Sequence, residues 1–279
     1  MMDVLIRPAT KADWQAVNGL IEKARRIYIG WEAEELREDV SAFWVAERGE
    51  KLLGFLICVY RQPDGAWLEG IGLAEGWPSD AALKRILPFV IESLRREGRA
   101  YLACLGSERW LARPLQEEWG FRICARIVTY IKTDWAVPGR GSQKVQIRPA
   151  SQADIPSLVE IDRHAFAPLW RNDAEAFARL MKNMSYFVVA ISEGKVVGYQ
   201  CNRLQIVQGH LARLAVHPTC QGRGIGTRLM AEAIDYFRKE GVQTITLNTQ
   251  RDNFTAQRLY RWFNFHPSGQ DMPVLKKAL

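Results

Sequence analysis

The 279 residues, 48% of them hydrophobic, suffice for one large or two ordinary domains with buried cores. No apolar run approaches the roughly 20 residues that cross a bilayer, and Met1 to Pro8 lacks the basic-then-apolar shape of a signal peptide, so the chain is expected in the cytoplasm with no membrane partner. The net charge of +7 favours an anionic ligand, yet Lys and Arg are scattered rather than striped and no nucleic-acid motif stands among them, so no nucleic acid is expected as a partner.

In chain order, the first signal is a duplication. Ile6-Arg7-Pro8-Ala9-Thr10-Lys11-Ala12-Asp13 returns as Ile147-Arg148-Pro149-Ala150-Ser151-Gln152-Ala153-Asp154, each copy a strand end followed by a Thr or Ser cap and a helix. Trp44-Val45-Ala46 with Gly54-Phe55 returns as Val188-Val189-Ala190 with Gly198-Tyr199, and Trp119-Gly120-Phe121 as Phe263-Asn264-Phe265. A repeat of roughly 140–145 residues means duplicated domains, because solenoid units recur every ~20–50. Pro138, Gly139, Gly141 and Ser142 interrupt the hydrophobic pattern, so the expected organisation is a first domain over 1–134, a linker over 135–144 and a second domain over 145–279. Five cysteines, Cys58, Cys104, Cys124, Cys201 and Cys220, are odd in number and widely separated, which predicts free thiols. No pair of His, Cys, Asp or Glu shows metal-ligand spacing, and no metal is expected.

The second half predicts strands over Val145–Arg148, Tyr186–Ser192, Lys195–Leu204, His210–Val216 and Thr244–Asn248 and a last C-terminal strand. Its helices are expected over Ile155–Phe166, Asp173–Lys182, Gly224–Glu240 and Phe254–Phe263. This order fits an α+β domain with a mixed sheet. Between the strand ending at Val216 and the helix carrying Leu229, Met230, Ala233, Ile234 and Phe237 lies Gln221-Gly222-Arg223-Gly224-Ile225-Gly226. The N–H groups that open such a helix have no intrahelical acceptor and favour an anion, and glycines let the backbone approach a phosphate. The loop lacks the Lys-Ser/Thr pair of a Walker loop and the spacing of a dinucleotide fingerprint. Taken alone, it is equally a plain strand-to-helix turn.

Gln221 to Gly226 matches Q-x-x-G-x-G and resembles the acetyl-CoA loop of the GNAT superfamily of N-acetyltransferases. Asn253, Ala256 and Tyr260 are spaced to share one face of the next helix and resemble that superfamily's second motif, N-x-x-A-x-x-x-Y, with Asn264 where the family usually has Gly. The resemblance implies two tandem GNAT-like domains, each a mixed, mostly antiparallel twisted sheet flanked by helices. It further implies acetyl-CoA as cosubstrate, an amine-bearing acceptor, and a monomer or homodimer. Acetyl-CoA would be held by Leu214, Ala215 and Val216, by Gln221, Gly222, Arg223, Gly224, Ile225, Gly226 and Thr227, and by Asn253 and Ala256. Tyr260 would protonate the departing thiolate. The first half places Pro78-Ser79-Asp80-Ala81-Ala82-Leu83 opposite the glycine loop and Trp110 and Gln116 opposite Asn253 and Tyr260, so it is expected to keep the shape without the coenzyme.

His210 falls, by strand alternation, on one face with Ala212, Leu214 and Val216, where an imidazole of unperturbed pKa near ~6.5 would suit a base. A solvent-facing histidine at a strand start is the other reading of it. Asn253 is equally a helix cap, and Tyr260 a half-buried aromatic. The expected function is direct acetyl transfer from acetyl-CoA to a primary amine of a small molecule or peptide N-terminus. The alternatives are an acyl-CoA-binding sensor or scaffold without turnover, or transfer of another acyl group or to another acceptor.

Overall fold

The duplicated Ile-Arg-Pro-Ala segments fold alike in both halves of the computed structural model, which describes residues 3–30 and 41–279. In the first, Arg7 reaches both carboxylate oxygens of Asp13 at 2.9 and 2.8 Å while the Thr10 N–H donates to the same group at 2.7 Å. In the second, Arg148 grips Asp154 at 2.7 Å through each nitrogen and the Ser151 N–H donates at 2.8 Å. Each carboxylate thus closes a capping box and ties the opening strand to its first helix.

Two compact units result, one of residues 1–125 with 272–279 and one of 126–271. The first holds β1 (Leu5–Pro8), α1 (Trp14–Lys23), β2 (Arg26–Ile29), β3 (Ala42–Arg48), β4 (Lys51–Gln62), β5 (Gly65–Leu73), α2 (Ser79–Arg96), β6 (Tyr101–Leu105) and α3 (Arg109–Glu117). The strand β7 (Arg122–Lys132) runs from the first unit into the second. The second then holds β8 (Gln146–Pro149), α4 (Ile155–Ala165), α5 (Ala174–Asn183), β9 (Tyr186–Ser192), β10 (Lys195–Leu204), β11 (Gln208–Val216), α6 (Ile225–Lys239), β12 (Thr244–Gln250) and α7 (Phe254–Trp262). Finally β13 (His266–Ala278) carries the chain back to the first unit.

Within the second unit the strand order is β8-β9-β10-β11-β12-β7, antiparallel except for the β11·β12 pair. The first unit is ordered β1-β3-β4-β5-β6-β13, again with one parallel pair, β5·β6. The expected halves therefore each give up their closing strand: β7 pairs with β12 through Ile127–Lys132, and β13 pairs with β6 through Val274–Ala278. A boundary drawn from Pro and Gly cannot show this, because strand pairing is set by tertiary partners. The expected linker is not a bare tether. Ser142 N–H donates to the Gly224 carbonyl at 3.1 Å, and Arg140 pairs with Asp235 on α6.

The second unit buries Leu211, Met230, Ala233, Ile234 and Phe237 under α6 and α7, and Leu158, Ile161, Phe177, Tyr199 and Cys201 under α4 and α5, on opposite faces of its sheet. All five cysteines are free; Cys58, Cys104 and Cys201 are buried and Cys124 is exposed.

The hydrogen bonds from Arg148 hold the buried Asp154 carboxyl down at about 2. A folded value below the unfolded ~3.9 gives stability that is complete above about pH 4 and fades as pH falls toward 2. Arg148→Ala is expected to destabilise the second unit by about 1–2 kcal/mol at pH 7, seen as a lower urea midpoint, and to flatten the acid limb of its stability curve. Paired denaturant titrations at pH 7 and pH 3 measure both effects.

Candidate active site

The site starts from a defect in β11. Cys201 pairs with Arg213 but Asn202 pairs with Leu211, so Ala212 is an extra residue, a β-bulge. Parallel pairing with β12 covers Gln208 to Leu211 and stops there. Beyond the bulge β12 stays with β7 up to Gln250, while the outer edge of Ala212–Val216 pairs with no strand among the described residues. The two parallel strands thus part, and one of them keeps a row of open main-chain groups.

The bulge also resets the faces. Past Ala212 alternation starts again, so His210 lies on the face of Arg213 and Ala215, toward α4 and α5, and Leu214 and Val216 lie on the other, toward α6. The expected grouping of His210 with Leu214 and Val216 is therefore incorrect. His210 sits opposite Thr246 on β12, and its Nδ1 lies 2.9 Å from the Thr246 hydroxyl. Burial, aided by the Arg203 charge, pushes its pKa down to about 4. The imidazole is neutral at pH 7, and its affinity for a proton is far below that of an alkylamine, so the pKa argument for it as a base does not hold.

At the end of β11 the Gln221 side chain donates to the Val216 carbonyl at 3.0 Å and anchors the glycine loop. Gly222 and Gly224 have φ of 73° and 77°, the left-handed region that side chains disfavour. Among the described residues nothing accepts from the backbone N–H groups of Gly222, Gly224, Ile225, Gly226 and Thr227. An ordinary helix start leaves three or four such donors, whereas this loop adds more in front of them and forms a concave nest for an anion. Ile225 contributes only main chain, because its side chain is buried against Val216 and Leu229. Gly226 is helical and has room for a methyl group, with its nearest neighbours at 3.7 and 3.8 Å.

Asn253 caps α7, its Oδ1 accepting from the Ala256 N–H at 3.2 Å, which leaves its amide nitrogen uncommitted. Two turns on, Tyr260 is 7% exposed and packed near Tyr130 and Phe265, beside the β12 arm of the split. Burial pushes its phenol up to about 12, so it keeps its proton throughout the neutral range. Asn264 adopts a φ of 60° just past the helix, the left-handed cap that glycine otherwise supplies.

Residues 154–265 match the model of the acetyltransferase (GNAT) family. The chain is 32% identical over 133 residues to the N-alpha-acetyltransferase RimI of Mycobacterium tuberculosis, covering 46% of this chain and 82% of that protein. The chain belongs to the GNAT acetyltransferase family. It is also 23% identical over 126 residues to a putative ribosomal protein bS18-alanine N-acetyltransferase of Bacillus subtilis, covering 45% of this chain and 83% of that one. A tandem GNAT protein from the clavulanic acid biosynthesis pathway superposes over 99% of this chain and 98% of its own, with a TM-score of 0.70 at 13% identity, which shows a shared tandem GNAT fold.

Acetyl-CoA is the cosubstrate that GNAT membership implies, and the second unit has the features to take it: a nest of free N–H groups and an unpaired strand edge beside it. The first unit has the same bulge, since Ile57 pairs with Gly70 and Cys58 with Leu68 across Glu69, and β5 leaves β6 after Trp67. There, however, the open edge is filled. Arg26–Ile29 of β2 pair antiparallel with Leu73–Gly70, and Gly30 N–H donates to the Glu69 carbonyl at 2.6 Å. The glycine loop is replaced as well: α2 runs for 18 residues against 15 in α6, so helix stands where the other unit has its nest.

Some features are not visible in the sequence pattern. Asp162, fully buried on α4, receives Arg213 at 2.7 and 3.0 Å, the Asn172 N–H at 2.7 Å and the Tyr199 hydroxyl, and so fixes the α4–α5 connection against β11. The expectation that no metal-ligand spacing exists is also corrected. Glu160 and His164 are one helical turn apart, and the fold brings His217 to them, with the ligand atoms within 4.8 Å of one another.

Gly222 has positive φ and nothing within 4 Å of an added Cβ, and both Asn and Asp tolerate that conformation. Gly222→Asn is expected to bind CoA within about 3-fold of the parent, and Gly222→Asp, which adds a negative charge to the nest, at least ~10-fold more weakly, as read by calorimetry.

Proposed function

We propose that this N-acetyltransferase moves an acetyl group directly from acetyl-CoA to the primary amine of a small molecule or a peptide N-terminus, using the second unit alone. The carrying observation is the asymmetry of the two bulged strands: the edge of β11 is open and that of β5 is closed by β2. Acetyl-CoA brings the acyl group already activated as a thioester, so the protein has only to align, polarise and supply protons.

In this reading the N–H groups of Gly222, Arg223, Gly224, Ile225, Gly226 and Thr227 hold the pyrophosphate, with Gln221 keeping the loop in register. The edge of Leu214, Ala215 and Val216 accepts the amide-bearing arm of the coenzyme as an added strand. Asn253 offers its free amide nitrogen, and Ala256 is small enough to leave that helix face accessible. Tyr260, a protonated phenol at neutral pH, is the proton donor for the departing thiol. His210 stays neutral and positions the Thr246 hydroxyl, so the acceptor amine gives up its proton to water.

The matched relatives include a putative ribosomal protein bS18-alanine N-acetyltransferase and an N-alpha-acetyltransferase, which supports a peptide N-terminus as one acceptor class. Mycothiol acetyltransferases are also among the matched proteins, the one from Sanguibacter keddieii at 30% identity over 99 residues, 33% of this chain and 31% of that protein. Small amines are therefore the second class. Incubating the protein and acetyl-CoA with a panel of both classes, and reading acetylated products by mass spectrometry, decides between them. Absence of any product together with absence of free CoA thiol would favour a sensor that binds without turnover.

Tyr260→Phe is expected to lower kcat by about 10–100-fold while the CoA dissociation constant stays within about 2-fold, measured by thiol release and calorimetry. His210→Gln is expected to keep kcat within about 3-fold. The pH profile of kcat/KM is expected to rise with the acceptor's own amine ionisation and to show no break near ~6.5.

A further inference from the structure

Three of the side chains that play no part in acetyl transfer form a second constellation on the same unit. Glu160 and His164 project from one face of the last turns of α4, and His217 is the first residue after β11, where the chain turns toward the glycine loop. The rings of His164 and His217 are 5.1 Å apart. Among the described residues this is the one group of at least three His, Cys, Asp or Glu side chains that could share an ion.

The hydrogen bonds around it fix the state of each ring. His164 Nδ1 lies 2.9 Å from the Glu160 carbonyl oxygen, which can only accept, so Nδ1 carries the proton and Nε2 keeps its lone pair. His217 Nδ1 lies 2.8 Å from the Thr219 hydroxyl and accepts from the Thr219 backbone N–H at 3.4 Å, so Nε2 carries the proton and releases it when it binds an ion. His164 shows the pattern of metal-bound histidines, with one ring nitrogen free for the ion and the other held by an outer oxygen that fixes the ring. Glu160 is engaged by Arg163 at 2.7 and 3.0 Å, but both side chains are at least half exposed, and such a pair is weak enough for a divalent cation to displace. Ligand atoms within 4.8 Å need only small side-chain rotations to reach the roughly 3.3 Å spacing set by bonds of ~2.0–2.1 Å.

We propose that Glu160, His164 and His217 form a binding site for a divalent transition-metal ion of the zinc class, with water completing its coordination. Two imidazoles and one carboxylate suit Zn²⁺, Ni²⁺ or Cu²⁺ and disfavour Mg²⁺ or Ca²⁺, which take oxygen ligands. The ion joins α4, on the face opposite α6, to the segment His217-Pro218-Thr219-Cys220 that leads into Gln221 and the nest. Its effect is mechanical: it fixes the exit of β11, on which the loop geometry rests. It is no reactant, and the site stands independently of which amine is acetylated.

The test uses tag-free, full-length protein freed of metal with EDTA and titrated with ZnCl₂ by calorimetry, then with CoCl₂ for its visible absorption. The expected result is one saturable equivalent of Zn²⁺ per chain, a higher melting temperature with the ion, and a Co²⁺ spectrum of low coordination number. His164→Ala and His217→Ala should each weaken Zn²⁺ binding at least tenfold and remove the melting shift, and Glu160→Gln should weaken it less. His266→Ala, which alters an exposed histidine outside the cluster, should bind as the parent does. Circular dichroism of the metal-free variants establishes that they are folded. No saturable Zn²⁺ binding in the parent, or binding that folded His217→Ala retains, would overturn the proposal.

Discussion

A β-strand has two edges, and the hydrogen-bonding groups along each need partners. In both units one strand is forced away from its parallel neighbour by a single extra residue, Ala212 in β11 and Glu69 in β5, and an edge of that strand needs another partner. In the first unit the chain satisfies that edge itself with β2, which pairs with Gly70–Leu73, and all nine residues of β5 are buried. In the second no strand takes that place among the described residues, and Ala212 remains exposed. The same backbone deformation therefore yields a filled edge in one case and an open edge in the other.

The surrounding chemistry follows this division. Beside the open edge, two residues in the left-handed region arrange a run of N–H groups around one point, and Gln221 ties the run to the strand end. Beside the filled edge, α2 begins earlier, Pro78 has no N–H to offer, and Asp80 in the first turn brings a negative charge. Closure of the strand edge and loss of the anion nest occur together, as expected if neither is useful without the other.

Much of this was legible in the sequence because it is local. Helix and strand limits in the second half were readable from periodicity, and the glycine loop, the Asn253 cap and the left-handed Asn264 follow from residues within a few positions of one another. What was not legible depends on partners far along the chain. The bulge at Ala212 is visible only in its pairing with Cys201 and Asn202, and it alone moves His210 to the other face. The low pKa of that histidine comes from burial, which a six-residue motif does not encode. Likewise Asp162 meets Arg213, and Glu160 meets His217, only after the sheet and α4 have packed. The duplicated Arg-Pro-Ala segments announced two domains but carried no sign that β7 and β13 each close the other unit's sheet.

That crossing has a consequence for biogenesis. Residues 272–279, which complete the first unit, lie beyond all of the second in the chain. As the polypeptide leaves the ribosome from its N-terminus, β6 must wait, with its edge toward Val274–Ala278 bare, until the whole second unit has been made. The second unit receives its outer strand β7 before any of its other strands are synthesised, and it can fold as soon as residue 271 is free. Maturation therefore runs from back to front: the second unit sets first, and the first is sealed last.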